Sequence, residues 1–182
     1  MPRRSFLIEI TLIVAIAAAM LVPRSAGAQS DERDAEAALA ALYRTTPAAK
    51  TLAKTAKGIL VFPRIVKAGF MVGAQYGHGT LFKNGKPAGR YNIAAGSYGF
   101  QAGVQGFAYA MFFMTDEALA YLDNSGGFEV GAGPSVVVVD AGKAKALTTT
   151  TVREDVYAFI FGQKGLMAEM GLQGSKISKI GP

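Results

Sequence analysis

Residues 67–113 read KAGFMVGAQYGHGTLFKNGKPAGRYNIAAGSYGFQAGVQGFAYAMFF, and this stretch decides the fold. Its period is two: Phe70, Val72, Ala74, Tyr76 and His78 fall on one side and Met71, Gly73, Gln75 and Gly77 on the other. Tyr98, Phe100, Ala102 and Val104 alternate with Gly99, Gln101, Gly103 and Gln105 in the same way. Side chains that alternate across a pleated backbone make strands, and Asn84-Gly85 between the two runs is the pair that a two-residue hairpin turn prefers. Glycine inside a strand weakens it, so its regular use on one face implies sharply coiled strands or a surface that another segment approaches closely. The fold class expected is α+β: a glycine-rich, mainly antiparallel β-barrel or sandwich with N-terminal amphipathic helices and one short internal helix.

Upstream, ILVF at 59–62 reads as a strand closed by Pro63. Before it, Ser30 with Asp31, Glu32 and Asp34 suits a helix N-terminus, and Ala35, Ala38, Leu39, Leu42 and Tyr43 recur at helical spacing. Thr46 then reads as an N-cap with Pro47 at the first helical position, and Gly58 as the cap that ends a second helix near Lys57, leaving Lys50, Lys54 and Lys57 on one face. Downstream, Thr115, Asp116 and Glu117 open a short helix through Leu122 and Asp123, after which Gly126-Gly127 returns the chain to strands at 128–139, 146–152, 156–161 and 166–173.

The N-terminus has the pattern of a signal peptide over residues 1–28: Arg3 and Arg4, an apolar run from Phe6 to Val22, and the small residues Ala26-Gly27-Ala28. The adjacent arginines suit either a twin-arginine or a general secretory route. Residues 29–182 have the length of a single domain. A periplasmic or secreted location, peripherally associated with a membrane, is expected. No cysteine is present, so neither a disulfide nor a lipid-attachment thiol is available.

The residue types exclude several chemistries. A single histidine, His78, and no cysteine cannot build an ordinary zinc or copper site. No serine sits in a GxSxG elbow, and Gly131-Ala132-Gly133 is followed by Pro134 and a valine run where a nucleotide-binding loop needs a helix. Asp116 and Glu117, adjacent on a helix, point apart and suit its dipole better than acid–base catalysis. No catalytic residue, metal site or cofactor is expected.

Charge is segregated. Residues 37–115 hold nine Lys and Arg and no Asp or Glu, whereas residues 116–155 hold seven acids and three bases. A one-signed segment of this length points to an anionic partner unless the later acids fold over it. An anionic bilayer satisfies the charge. Nucleic acid would too, but an exported protein seldom meets it.

AKGILVFPRIVKAGF (56–70), GAQYGHGTLF, GSYGFQAGVQ and DVYAFIFGQKGLMAEMGLQGSKI together resemble the SYLF lipid-binding domain family, over about residues 34 to 180. The resemblance implies a non-enzymatic phospholipid-binding module; eukaryotic relatives bind phosphoinositides, and some bind actin. An SH3 or FYVE partner domain is missing from this sequence, so actin binding is not expected to carry over. The residues expected to bind lipid are Lys50, Lys54, Lys57, Arg64 and Lys67, with Lys83, Lys86 and Arg90 as a second cluster; Lys57 and Lys67 fall inside the resembling motifs. The competing expectation is an envelope structural or protein-interaction domain without a lipid ligand.

Overall fold

The computed structural model describes residues 26–124, 127–130, 133–139, 153–165 and 174–182. Two helices lead, α1 (Ala26–Thr45) and α2 (Pro47–Leu52), followed by two very long strands, β1 (Gly58–Lys83) and β2 (Lys86–Phe113). Helix α3 (Asp116–Asn124) and strands β3 (Phe128–Glu129), β4 (Val136–Val139), β5 (Val156–Gly165) and β6 (Lys176–Gly181) complete the described chain.

β1 and β2 form one hairpin from Gly58↔Phe113 to Lys83↔Lys86. Asn84 and Gly85 turn it with φ of 52° and 72°, both positive as the tight hairpin turn requires. β2 then carries a different neighbour on each half: β6 pairs with Arg90–Ala94, and β5 with Gln105–Phe113. β3 extends the sheet beyond β6, and β4 joins β5 in the one parallel pairing among the described strands.

The hairpin is doubled over. At Gly69 an added Cβ would lie 2.4 Å from the Gly73 backbone, at Gly77 2.7 Å from the Arg64 carbonyl, and at Gly79 2.6 Å from the Phe62 ring. Those pairings converge on Met71, where β1 bends back so that its second half lies face to face on its first. The close approach that the glycines imply is therefore made by the same strand. Met71 has φ of 60°, and three residues of β2 (99–101) stand opposite it, between the pairs Phe70↔Ala102 and Val72↔Tyr98.

The result is a curled half-barrel. It is not a closed barrel: the sheet order β3-β6-β2-β5-β4 leaves β3 and β4 as edges among the described residues. Inside the curl, Leu60, Phe62, Ile65, Tyr91, Tyr109, Met111 and Phe113 pack with Leu119 and Leu122 of α3, which plugs one mouth. Outside, Ala35 and Leu42 of α1 and Ala49 and Leu52 of α2 cover Val61, Phe82, Ala110, Phe112 and Phe159.

Four readings of the sequence are corrected here. Pro63 does not close a strand; β1 runs through it, and its missing N–H is accommodated at a register shift between Phe62 and Ile65. The second helix ends at Leu52, and Gly58 opens β1 instead of capping the helix. The strand expected over 128–139 is two short strands with a break at Pro134. β6 pairs where no strand was expected. The short helix does open at Thr115 and Asp116 as expected, with the Thr115 hydroxyl accepting from the Ala118 N–H at 3.1 Å. The strands expected at 146–152 and 166–173, and most of the signal peptide, lie outside the described residues.

Candidate functional site

The basic residues divide by location. The hairpin turn brings Lys83 and Lys86 together as a pair, and Lys54, in the turn after α2, lines a cleft of about 460 Å³ with Asn84 and Gly85 of the hairpin tip. Lys50 lies one helical turn earlier, exposed on α2. The cleft's walls are Leu39, Ala40 and Tyr43 of α1 with Ile59 and Phe82 of the sheet; Glu36 also reaches it. Burial pushes the Tyr43 hydroxyl up to about 12.

The remaining candidates lie elsewhere. Arg64 is exposed on the outer face of β1 in a shallow depression shared with Asp31, Asp34, Tyr76 and His78, the last two meeting edge-to-face at 5.1 Å. Arg90 reaches Asp31 at 4.0 Å. Lys67 is not on the surface: only 5% exposed, it points into the curl opposite Gln105, which is also buried.

Carboxylates do fold over part of the basic segment. Lys57 meets Asp116 at 3.3 Å, at the start of α3. Lys83 meets Asp123 at 3.3 Å, and Lys179 meets it at 3.2 Å. Asp123 also accepts a 2.6 Å hydrogen bond from the Tyr91 hydroxyl. Partial burial works to raise the Asp123 pKa, but the bonds from Tyr91, Lys179 and Lys83 outweigh it and hold the carboxyl below its ordinary value. Burial first, and then the Asp123 bond, push the Tyr91 hydroxyl up. The expectation of one converging surface of eight basic residues is thus corrected. Lys50, Lys54, Arg64 and Lys86 have no carboxylate in ion-pair range among the described residues, and three of these four share the hairpin-turn end.

Sequence reasoning missed the opposite end of the hairpin. Phe70 is 76% exposed, Val104 63%, Val72 62% and Met71 52%. Their alternation reads as a core face in sequence. The available signal was on the other side of the strands, where glycine and glutamine leave no bulk for a core.

Among the described residues no group of three His, Asp or Glu side chains is placed to hold a metal ion, and no helix is long and apolar enough to cross a membrane.

No curated protein matches the chain. Residues 94–180 match the Ysc84 family model, described as Las17-binding protein actin regulator. That span takes in most of β2 and everything after it, including the resembling segments that begin at Gly96 and Asp155. The resembling segments before residue 94, and all eight candidate lipid-binding residues, precede it. Over residues 94–180, just under half of its length, the chain is thus similar to the Ysc84 (SYLF) family.

Proposed function

We propose that this chain is a non-enzymatic binding module, exported from the cytoplasm, that docks on anionic phospholipid surfaces through the lysines at its hairpin-turn end. The observation that carries this reading is that Lys50, Lys54 and Lys86 are exposed and outside ion-pair range of any described carboxylate, with Lys54 lining a largely apolar cleft at the hairpin tip that Glu36 also reaches. Each lysine near an anionic bilayer contributes about 1 kcal/mol, so three suffice for reversible attachment that salt weakens. The match of residues 94–180 to the family model supports a binding role, the family description being one of a binding protein and actin regulator. The signal-peptide pattern of residues 1–28 supports export.

Vesicle sedimentation tests the reading. The full chain is expected to pellet with vesicles containing phosphatidylglycerol, to stay in solution with phosphatidylcholine alone at low lipid concentration, and to lose about a hundredfold or more in affinity when Lys50, Lys54 and Lys86 are all changed to Glu. Equal recovery of that variant and the wild type on anionic vesicles would refute it. The second reading, a protein-interaction domain, is favoured by the internal pairing of Lys57, Lys83 and Arg90, which removes these cations from any ligand. It predicts envelope retention that the triple charge reversal leaves unchanged.

A further inference from the structure

The other end of the hairpin has an inverted sheet. Over residues 66–76 the outward positions are Val66, Phe70, Val72 and Tyr76, all exposed, while the inward positions are Lys67, Gly69, Gly73 and Gln75, with Gln105 from β2 beside them. An antiparallel sheet with one wet face places apolar residues inside and polar residues outside. Here the order is reversed, as on strands whose outer face meets hydrocarbon. The reversal is confined to the apex where β1 doubles back.

The apex is convex. Phe70, Met71 and Val72 are the fold point itself, and Met71 keeps a left-handed φ of 60° that a side chain adopts only at a cost. Val104 pairs across from Ala68 and Val66 across from Gly106, so both join the apolar tip on its β1 and β2 flanks. The row through Val66 and Gly106 continues to Lys164, exposed near the end of β5, and Arg64 follows Val66 on the same face. The tip therefore carries cations on its shoulders, Lys164 on one flank and Arg64 on the other, the latter in a depression that Val66 and Tyr76 share with Asp31 and Asp34 of α1. Hydrophobic residues projecting from a convex tip with flanking cations fit a phospholipid bilayer: the apolar side chains enter the acyl boundary and the cations stay among phosphates.

We infer that Phe70, Met71, Val72, Val66 and Val104 form a second bilayer contact, which inserts by apolar burial. About twelve residues of β1 separate the apex from the hairpin turn, roughly 40 Å of strand, so a domain standing upright on a flat bilayer meets it with one end and leaves the other for a second surface. Taken with the lysine contact proposed above, on which this last step rests, the domain bridges two membrane surfaces.

The chain has no tryptophan, so Phe70→Trp places a single reporter at the apex. With the full chain, the indole emission of this variant is expected to shift to the blue on adding phosphatidylcholine vesicles at high lipid, and more strongly on phosphatidylglycerol vesicles. Lipids brominated along their acyl chains are expected to quench it. The double variant Phe70→Ser/Val72→Ser, whose side chains are exposed and so leave the fold intact, is expected to pellet with anionic vesicles through the lysines but to lose the vesicle clustering seen by light scattering. Indole emission that stays at its aqueous position while the protein pellets overturns the inference, as does clustering by the double variant equal to wild type. A blue shift without lipid that grows with protein concentration also overturns it, assigning the apex to a second copy. Failure of the lysine reading shows separately, as loss of the anionic preference while the indole still enters phosphatidylcholine.

Discussion

Gly79 has no room for a side chain. An added Cβ would stand 2.6 Å from the Phe62 ring and 2.8 Å from the Val61 carbonyl, and the backbone of the facing half-strand cannot give way without moving the hairpin. Gly96, on the neighbouring strand, would place its Cβ in open space. Overpacking of this kind costs about 1–3 kcal/mol, so Gly79→Ala is expected to lower the urea midpoint by that measure while Gly96→Ala leaves it within about 0.5 kcal/mol of wild type. Equal effects at the two sites would remove the argument that β1 packs on itself. A glycine-bearing face was legible because alternation is local. The partner of that face was not, because the approach is made by residues twelve to eighteen positions earlier in the same strand, across a bend at Met71 that no residue type announces. Lys67 carries the same lesson: its charge was legible, its burial was not.

α1 and α2 are held to the sheet by side chains, not by caps. Thr46 makes no side-chain hydrogen bond to α2, and a six-residue helix is far below the length that is stable alone. Leu42 and Leu52, each 1% exposed, pack on the outer face of β1 and β2 against Val61, Phe82 and Phe112. Leu42→Ala is expected to cost about 3 kcal/mol through lost burial and the cavity left behind, measured as a fall in thermal or urea stability. It should also open the cleft between α1 and the hairpin tip. The helical spacing of Ala35, Leu39 and Leu42 and the Asn84-Gly85 turn were readable because each depends on residues within a turn or two. Pro63 and Gly58 misled for a related reason: they end elements in isolation, but pairing along β2 holds the strand through both.

Asp123 binds the whole molecule at one point. It sits on α3 and takes bonds from Lys83 at the end of β1, Tyr91 on β2 and Lys179 on β6, so four elements meet on one carboxylate. Its pKa is lowered in the folded chain. A depressed carboxyl contributes stability that is present above its unfolded pKa of about 4 and is lost as pH falls through the lower folded value. Asp123→Asn is therefore expected to lower stability near pH 7 by about 1 kcal/mol, its partial exposure trimming the usual worth of charged hydrogen bonds. The gap between variant and wild type should close as the pH falls through that lower folded value. A gap that persists unchanged in acid would assign the effect to packing.

From its residues alone this chain declared strands, a hairpin turn, flanking helices, an acid-free basic segment and a likeness to a lipid-binding family, all of which rest on periodicity or composition within short windows. Only the tertiary structure decided which cations keep their charge for a ligand. Lys57 and Lys83 lie at one edge of that segment's fold and meet Asp116 and Asp123 from the helix that plugs the half-barrel, Arg90 meets Asp31 from the helix that covers it, and Lys50, Lys54 and Lys86 meet none of them. Charge is a property of the residue, but its neutralisation depends on distances between residues far apart in sequence. The same holds for the apolar apex, whose exposure follows from a strand folded on its own glycines.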